Sequence, residues 1–479
     1  MYLGAIFVYL FVLVGIAVYK SKLVKTQDDF SVAGRTLSPW IVVLTMLAVW
    51  IGTGSIVGNA GKTAEIGVAA CLLPLGSFFG MIILSLIATK ARNIEVTSVP
   101  QLIGQRFGQV ARTLAVVALI LAYMVIVSYQ FMAGGFVLEV ITDGQLSSGW
   151  ATVIAAAFII IFTVMAGLMS LAYTDIITGS IIIGALVVGL PVLLAKAGGI
   201  SGMTEAFAAM DKSGHMTIGG VFSVFDIINF MLPVFLLVMG DANQYQRIFA
   251  SKSAKGAKQA VTVLIFVSFT IEILIILSAW VASSMTPEAE SGKYILIYAA
   301  KHFMPLILGM IFLICVVGII FSTANSFLLV PATTFIKDIY LNFINKEIDE
   351  NDKKIVYMSR AIVVLFGVIA LGVAFIFKQS TSVFERALYA YTIYGASITP
   401  VVVAALFWKR ATKAGAVTSI LCGTIVTLLW GEILRDVLAK AIPVLGELDA
   451  VLPAIFTSGL ALLIVSLATK PEPIKTETA

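Results

Sequence analysis

The chain has 479 residues, of which 60% are apolar and only 12% charged, and its mean hydropathy is +1.05. Soluble domains average about 25% charged residues, so a water-soluble enzyme or a nucleic-acid-binding module is excluded. The net charge of +5 reports where loops sit relative to a membrane.

In chain order, apolar runs long enough to cross a bilayer fall at roughly 2–19, 38–59, 68–89, 113–140, 149–168, 172–195, 221–246, 259–284, 304–335, 355–377, 383–407, 414–434 and 449–468. These thirteen runs predict an all-α polytopic membrane protein. The first is followed by basic residues and by no cleavage-site pattern, so it is expected to be a retained helix. Cys71, Cys315 and Cys422 all lie in apolar runs and imply no disulfide framework.

The second and seventh runs are interrupted at matching places. Gly52-Thr53-Gly54-Ser55 lies inside Trp40–Asn59, and Gly240-Asp241-Ala242-Asn243 inside Phe230–Arg247. A freed backbone group in hydrocarbon costs several kcal/mol, so such breaks survive where protein, water or a ligand satisfies them. Packing glycines are the simpler alternative. Two broken helices in corresponding halves point to a substrate and ion site near the bilayer midplane. The second broken helix comes five runs after the first, an odd number of crossings. The five-helix units starting near 38 and near 221 therefore run in opposite directions, as in the inverted repeats of a LeuT-like fold.

The expected division is an extra N-terminal helix and loop (1–37), a first inverted repeat (38–195), an outer loop (196–220), a second inverted repeat (221–411), and two C-terminal helices with a short tail (412–479). The ends and loops at 20–37, 90–112, 247–258, 337–360, 409–413 and 470–479 carry 22 of the 31 lysines and arginines. The positive-inside rule makes that side cytoplasmic. The chain is thus expected in the cell (inner) membrane, with its N-terminus extracytoplasmic and its C-terminus cytoplasmic. The charged loop Lys346–Lys354 is expected to be a solvated cytoplasmic connection, and His215 a solvated loop histidine.

Ionisable groups within spans are functional candidates by default. Asp175 opens the sixth run, where a helix-terminus role favoured by the dipole is the alternative. Ser322-Thr323-Ala324-Asn325-Ser326 puts hydroxyls and an amide on adjoining faces of an otherwise apolar helix. Such hydroxyls often bond back to their own helix, but four polar residues in five favour an oxygen-rich site for a hard cation.

Several stretches together resemble the sodium:solute symporter family, which includes bacterial proline, pantothenate, sialic acid and galactose symporters and animal glucose and choline carriers. They are DDFSVAGRTL (Asp28 to Leu37), GNAGKTAEIG after the first break, Gly167 to Asp175 ending in YTD, Gln246-Arg247, STANS followed by KDIY (Lys337 to Tyr340), and Pro400 with LFWKR ending at Arg410. The resemblance covers nearly the whole chain. It implies a LeuT-like core, about 13 transmembrane helices, and Na⁺-driven uptake by alternating access. It places the main Na⁺ site at Ala48, Ile51, Ile319, Ser322 and Thr323. A second Na⁺ site, found in some members, maps to Asp175, Asn325 and Ser326, where Asn325 departs from a more usual serine.

In this fold the solute lies against the breaks. That nominates Trp50, Thr53, Ser55, Asp241, Asn243, Gln244, Tyr391 and Tyr394, with Tyr123, Tyr129 and Gln130 as weaker candidates. An unpaired buried carboxylate is costly, so Asp241 requires a cationic substrate, a protein cation or a proton. With Trp50 as a cation–π face, this leans toward an amine, quaternary ammonium or amino-acid-like solute. A neutral or anionic metabolite (sugar, monocarboxylate, pantothenate) is the alternative.

A sensory membrane module is disfavoured because about ten residues follow the last span. An enzyme is disfavoured because HExxH, CxxC and G-x-S-x-G are missing. A uniporter or channel is disfavoured by the retained Ser322 and Thr323. The expected partners are the solute, Na⁺ and the lipid bilayer, with no nucleic acid and no obligate protein partner.

Overall fold

The structure, a computed structural model, describes residues 1–21, 27–286, 294–345, 353–376 and 382–470. Most of the charged loop at 346–354 and the tail beyond 470 lie outside the described residues. The helices in order are α1 (Tyr2–Ser21), α2 (Gln27–Val32), α3 (Pro39–Trp50), α4 (Ala60–Ile66), α5 (Leu75–Asn93), α6 (Val99–Ile141), α7 (Ser148–Met165), α8 (Leu168–Lys196) and α9 (Gly199–Ala209). Next come α10 (Val224–Gly240), α11 (Ala242–Ala250), α12 (Ala254–Ser284), α13 (Ile295–His302) and α14 (Leu306–Phe335). The last are α15 (Lys353–Ile376), α16 (Val383–Phe407), α17 (Lys413–Leu429), α18 (Arg435–Ala439) and α19 (Val451–Ala468). No strand occurs among the described residues.

Every expected apolar run coincides with a helix. Among the described residues, eleven are long and apolar enough to cross a membrane, and the bent pair Pro39–Trp50 with Gly54–Leu72 makes a twelfth. The run near 414–434 is the shorter apolar helix α17.

Helix starts follow local chemistry. Ser98, Ser253 and Thr412 each accept a backbone N–H from the first turn of α6, α12 and α17. Ser223–Asp226 and Ser382–Glu385 form reciprocal capping boxes at α10 and α16. Gly108, at φ +85°, bends α6 and separates a short amphipathic turn from its long apolar stretch.

Helix α6 runs through the middle of the bundle, against α7, α14, α15 and α16. Helices α3, α8 and α14 pack on one another, and α12 joins them to α5. The outward faces are apolar: Phe11, Trp150, Phe266 and Ile307 are each exposed.

His215 departs from the expected solvated loop residue: only 9% of it is exposed. It sits in a tight turn over Ser213–Met216, against the ring of Phe207, and Trp280 Nε1 donates to its carbonyl at 2.9 Å. Gly67, at φ +72°, lies against its backbone where a Cβ would not fit.

Candidate functional site

The first break is a real interruption. Helix α3 ends at Trp50, Ile51 turns extended (φ −73°, ψ 92°), and the chain resumes as a wide helical turn over Gly54–Asn59, bent by 48°. The ψ of Ile51 takes its carbonyl out of the helical direction. The glycines also serve close packing, so both readings of them hold. A Cβ on Gly52 would stand 3.0 Å from Thr323 Cγ2 on α14, and one on Gly54 2.7 Å from Tyr391 Oη on α16.

The second break pivots on Asp241, the residue between α10 and α11. It leaves helical geometry (φ −58°, ψ 115°), and its carboxylate accepts the backbone N–H groups of Asn243 and Gln244, each at 3.3 Å. Tyr123 Oη donates to its Oδ1 at 2.5 Å. Asp241 is therefore the N-cap of α11, at the end of the helix where the dipole favours negative charge. Among the described residues no lysine or arginine comes within ion-pair distance of it.

Between the breaks lies a buried polar cluster. Thr45 Oγ1 donates to Asp175 Oδ2 at 2.5 Å, and Ser322 Oγ to Oδ1 at 2.6 Å. Arg247, fully buried on α11, places Nη2 3.8 Å from Asp175 Oδ2 and donates to Ser326 Oγ at 2.8 Å. It also donates to Thr45 Oγ1 at 3.1 Å and to the carbonyl of Asn243 at 3.1 Å. One guanidinium thus ties α11 to α3, α8 and α14, which only its planar array of donors permits.

Of the expected main Na⁺ residues, Thr323 lies with its Oγ1 3.5 Å from the carbonyl of Ala48. Ile319 is buried one turn earlier on α14. Ser322 uses its proton toward Asp175, which leaves its lone pairs for a cation. Of the residues expected at a second site, Asp175 and Ser326 share Arg247 as a partner, whereas Asn325 Oδ1 accepts from Thr163 Oγ1 at 2.6 Å. The cation beside Asp175 is Arg247.

Of the expected substrate residues, Thr53 donates to Gln130 Oε1, and Tyr129 and Tyr391 approach hydroxyl to hydroxyl at 3.5 Å. Trp50 Nε1, Gln130 Nε2, Asn243 Nδ2, both side-chain polar atoms of Gln244 and Tyr394 Oη are buried with no hydrogen-bond partner. Native proteins leave few such groups, and these gather on the elements that form the two breaks or pack on them.

Sequence reasoning missed four residues. Thr45 and Thr163 look like ordinary hydroxyls in apolar helices. Arg247 was noted only as part of a QR pair. Glu272, deep in α12, is 4% exposed; its carboxylate accepts from Ser55 Oγ at 2.5 Å and Asn59 Nδ2 at 3.1 Å. Its signal was simply an acidic residue within an apolar run.

A family model described as the sodium:solute symporter family matches residues 30–423. The chain belongs to that family. It is 25% identical over 464 residues to the high-affinity proline transporter PutP of Bacillus subtilis, covering 93% of this chain and 95% of the relative. It is 24% identical over 463 residues to the osmoregulated proline transporter OpuE of the same organism, covering 93% and 91%. In structure, a Na⁺-coupled sialic acid symporter in a substrate-bound outward-open state aligns with a TM-score of 0.81 at 18% identity, over 98% of both chains. MhsT in complex with L-phenylalanine aligns at 0.57 with 15% identity, over 90% of this chain and 99% of that one. The symporter therefore has the LeuT-like architecture of inverted five-helix repeats, and its two breaks fall where that architecture interrupts its helices.

Proposed function

We propose that this symporter imports a small amine, quaternary ammonium or amino-acid-like solute together with Na⁺, by alternating access. The observation that carries Na⁺ coupling is the oxygen set at the first break. Thr323 Oγ1 stands 3.5 Å from the Ala48 carbonyl, Ser322 carries the adjacent hydroxyl, and the Ile51 carbonyl leaves the helical direction at the same break. Neutral oxygens of this kind suit a small hard cation, which is a co-transported substrate. Asp175 orients Ser322 and adds negative charge nearby, moderated by Arg247.

The two proline transporters above support the amino-acid-like reading of the solute. The solute lies against the breaks, where the unpartnered groups of Trp50, Asn243, Gln244 and Tyr394 are available to it. Repeats at 38–195 and 221–411 rock against each other, and the Lys- and Arg-rich side faces the cytoplasm.

The test is uptake by the purified protein in proteoliposomes, with a panel of radiolabelled solutes. Uptake of proline, glycine betaine or choline that requires an inward Na⁺ gradient is the expected result. Uptake of a sugar, a monocarboxylate or pantothenate in their place would overturn the solute class. Uptake indifferent to Na⁺ would overturn the coupling.

A further inference from the structure

Glu272 is a buried carboxylate that the Na⁺ oxygens do not use. Two neutral donors, Ser55 and Asn59, hold one oxygen each. That satisfies about half of the carboxylate's lone-pair sites and supplies no counter-charge. Among the described residues no cationic nitrogen lies within ion-pair distance of it. Lys62, whose ammonium stands 5.5 Å from the centre of the Phe230 ring, pairs with Glu65 at 2.9 Å.

The surroundings are equally specific. Glu272 lines a small cavity, about 40 Å³, beside the first break. Trp50, Phe230, Phe384 and Tyr391 line the same cavity. Aromatic faces attract a cation and offer nothing to an anion, and a buried carboxylate without a counter-ion is costly. Asp241 shares the lack of an ion-pair partner but is better satisfied, since its carboxylate caps α11 with two backbone N–H groups and also accepts from Tyr123.

We infer that Glu272, with the rings of Trp50, Phe230, Phe384 and Tyr391, forms the subsite that receives the cationic nitrogen of the transported solute. This rests on the amine-type reading of function above and assigns its charge recognition. The placement also links solute to ion. Ser55, which holds Glu272, lies three residues beyond Gly52, and Gly52 packs on Thr323. A cation drawn to Glu272 therefore acts on the broken segment that carries the Na⁺ oxygens.

The test compares the full-length protein with Glu272→Gln and Phe384→Leu in proteoliposomes. The probes are L-proline, glycine betaine and D-galactose, and Na⁺-induced thermal stabilisation serves as a folding control. Glu272→Gln is expected to weaken amine binding by at least about tenfold, while the Na⁺ stabilisation persists. Phe384→Leu is expected to weaken glycine betaine more than proline, because the quaternary nitrogen relies on ring faces. Should Glu272→Gln lose the Na⁺ stabilisation as well, Phe384→Leu decides: unchanged binding of both amines would overturn the subsite. Wild-type amine affinity in a folded Glu272→Gln would overturn it too, as would an unchanged affinity with a lost dependence on external pH, which would make Glu272 a proton site. If the parent protein takes up galactose and neither amine, the amine reading itself fails, whatever the variants do.

Discussion

Thr323 and Ser322 are adjacent hydroxyls with different jobs. Thr323 faces the Ala48 carbonyl, whereas Ser322 is oriented by Asp175. Removing either hydroxyl as alanine is expected to raise the Na⁺ concentration for half-maximal transport by about tenfold, within the roughly 1–3 kcal/mol of a lost buried polar partner. Unchanged Na⁺ dependence in both variants would remove these residues from the ion's path. Asp241 is expected to behave as a cap. Asp241→Asn retains capping ability and the contact with Tyr123, so folding should persist, with a smaller loss of amine affinity than in Glu272→Gln. Asp241→Ala should cost about 1 kcal/mol of stability, read as a lower melting temperature. Arg247→Met is the severe change. It leaves Asp175 buried without its cation, a situation that costs about 3–5 kcal/mol, and thermal unfolding should show it before any transport assay.

At the level of elements, the two glycines of the first break pack on residues of the proposed ion and solute sites respectively: Gly52 on Thr323 and Gly54 on Tyr391. Gly52→Ala pushes on Thr323 and should weaken Na⁺ dependence, while Gly54→Ala pushes on the Tyr391 hydroxyl and should weaken solute affinity with Na⁺ dependence retained. Measuring both constants on both variants checks this, and equal effects on both constants would show that the break moves as one body. The turn that carries His215 supplies a pH test outside the membrane-spanning helices. Burial, with nearby Lys212, holds its pKa below the ordinary 6.5. The folded turn therefore keeps the imidazole neutral, its stability is fully present above about pH 6.5, and it is lost as the pH falls through the lowered folded value. Hydrogen-exchange protection over 199–216, taken relative to the intrinsic rate at each pH, should fall at pH 5 relative to pH 7.5, and His215→Gln should flatten that difference.

For the whole molecule, the shared partners around Asp175 predict one Na⁺ per cycle. Arg247 stands 3.8 Å from Asp175, and Asn325 accepts from Thr163. A Na⁺ Hill coefficient near one is expected in the parent protein and unchanged in Asp175→Asn, which should nonetheless need more Na⁺. A coefficient clearly above one that falls in Asp175→Asn would restore a second site. The helices, their order and both interruptions were legible in the sequence, because in hydrocarbon an unsatisfied backbone forces long apolar helices and makes each glycine-rich gap conspicuous. The hydroxyl pair at 322 and 323 was legible for the same reason, as polar atoms in an apolar run. Partnership was not. That Arg247 stands by Asp175, that Asp241 caps its own half-helix, and that Glu272 bonds Ser55 some 217 positions away depend on which helix faces pack together. A buried charge reads the same in a sequence whether it meets a cation, a helix end or an aromatic cavity, and only the tertiary fold brings it to one of them.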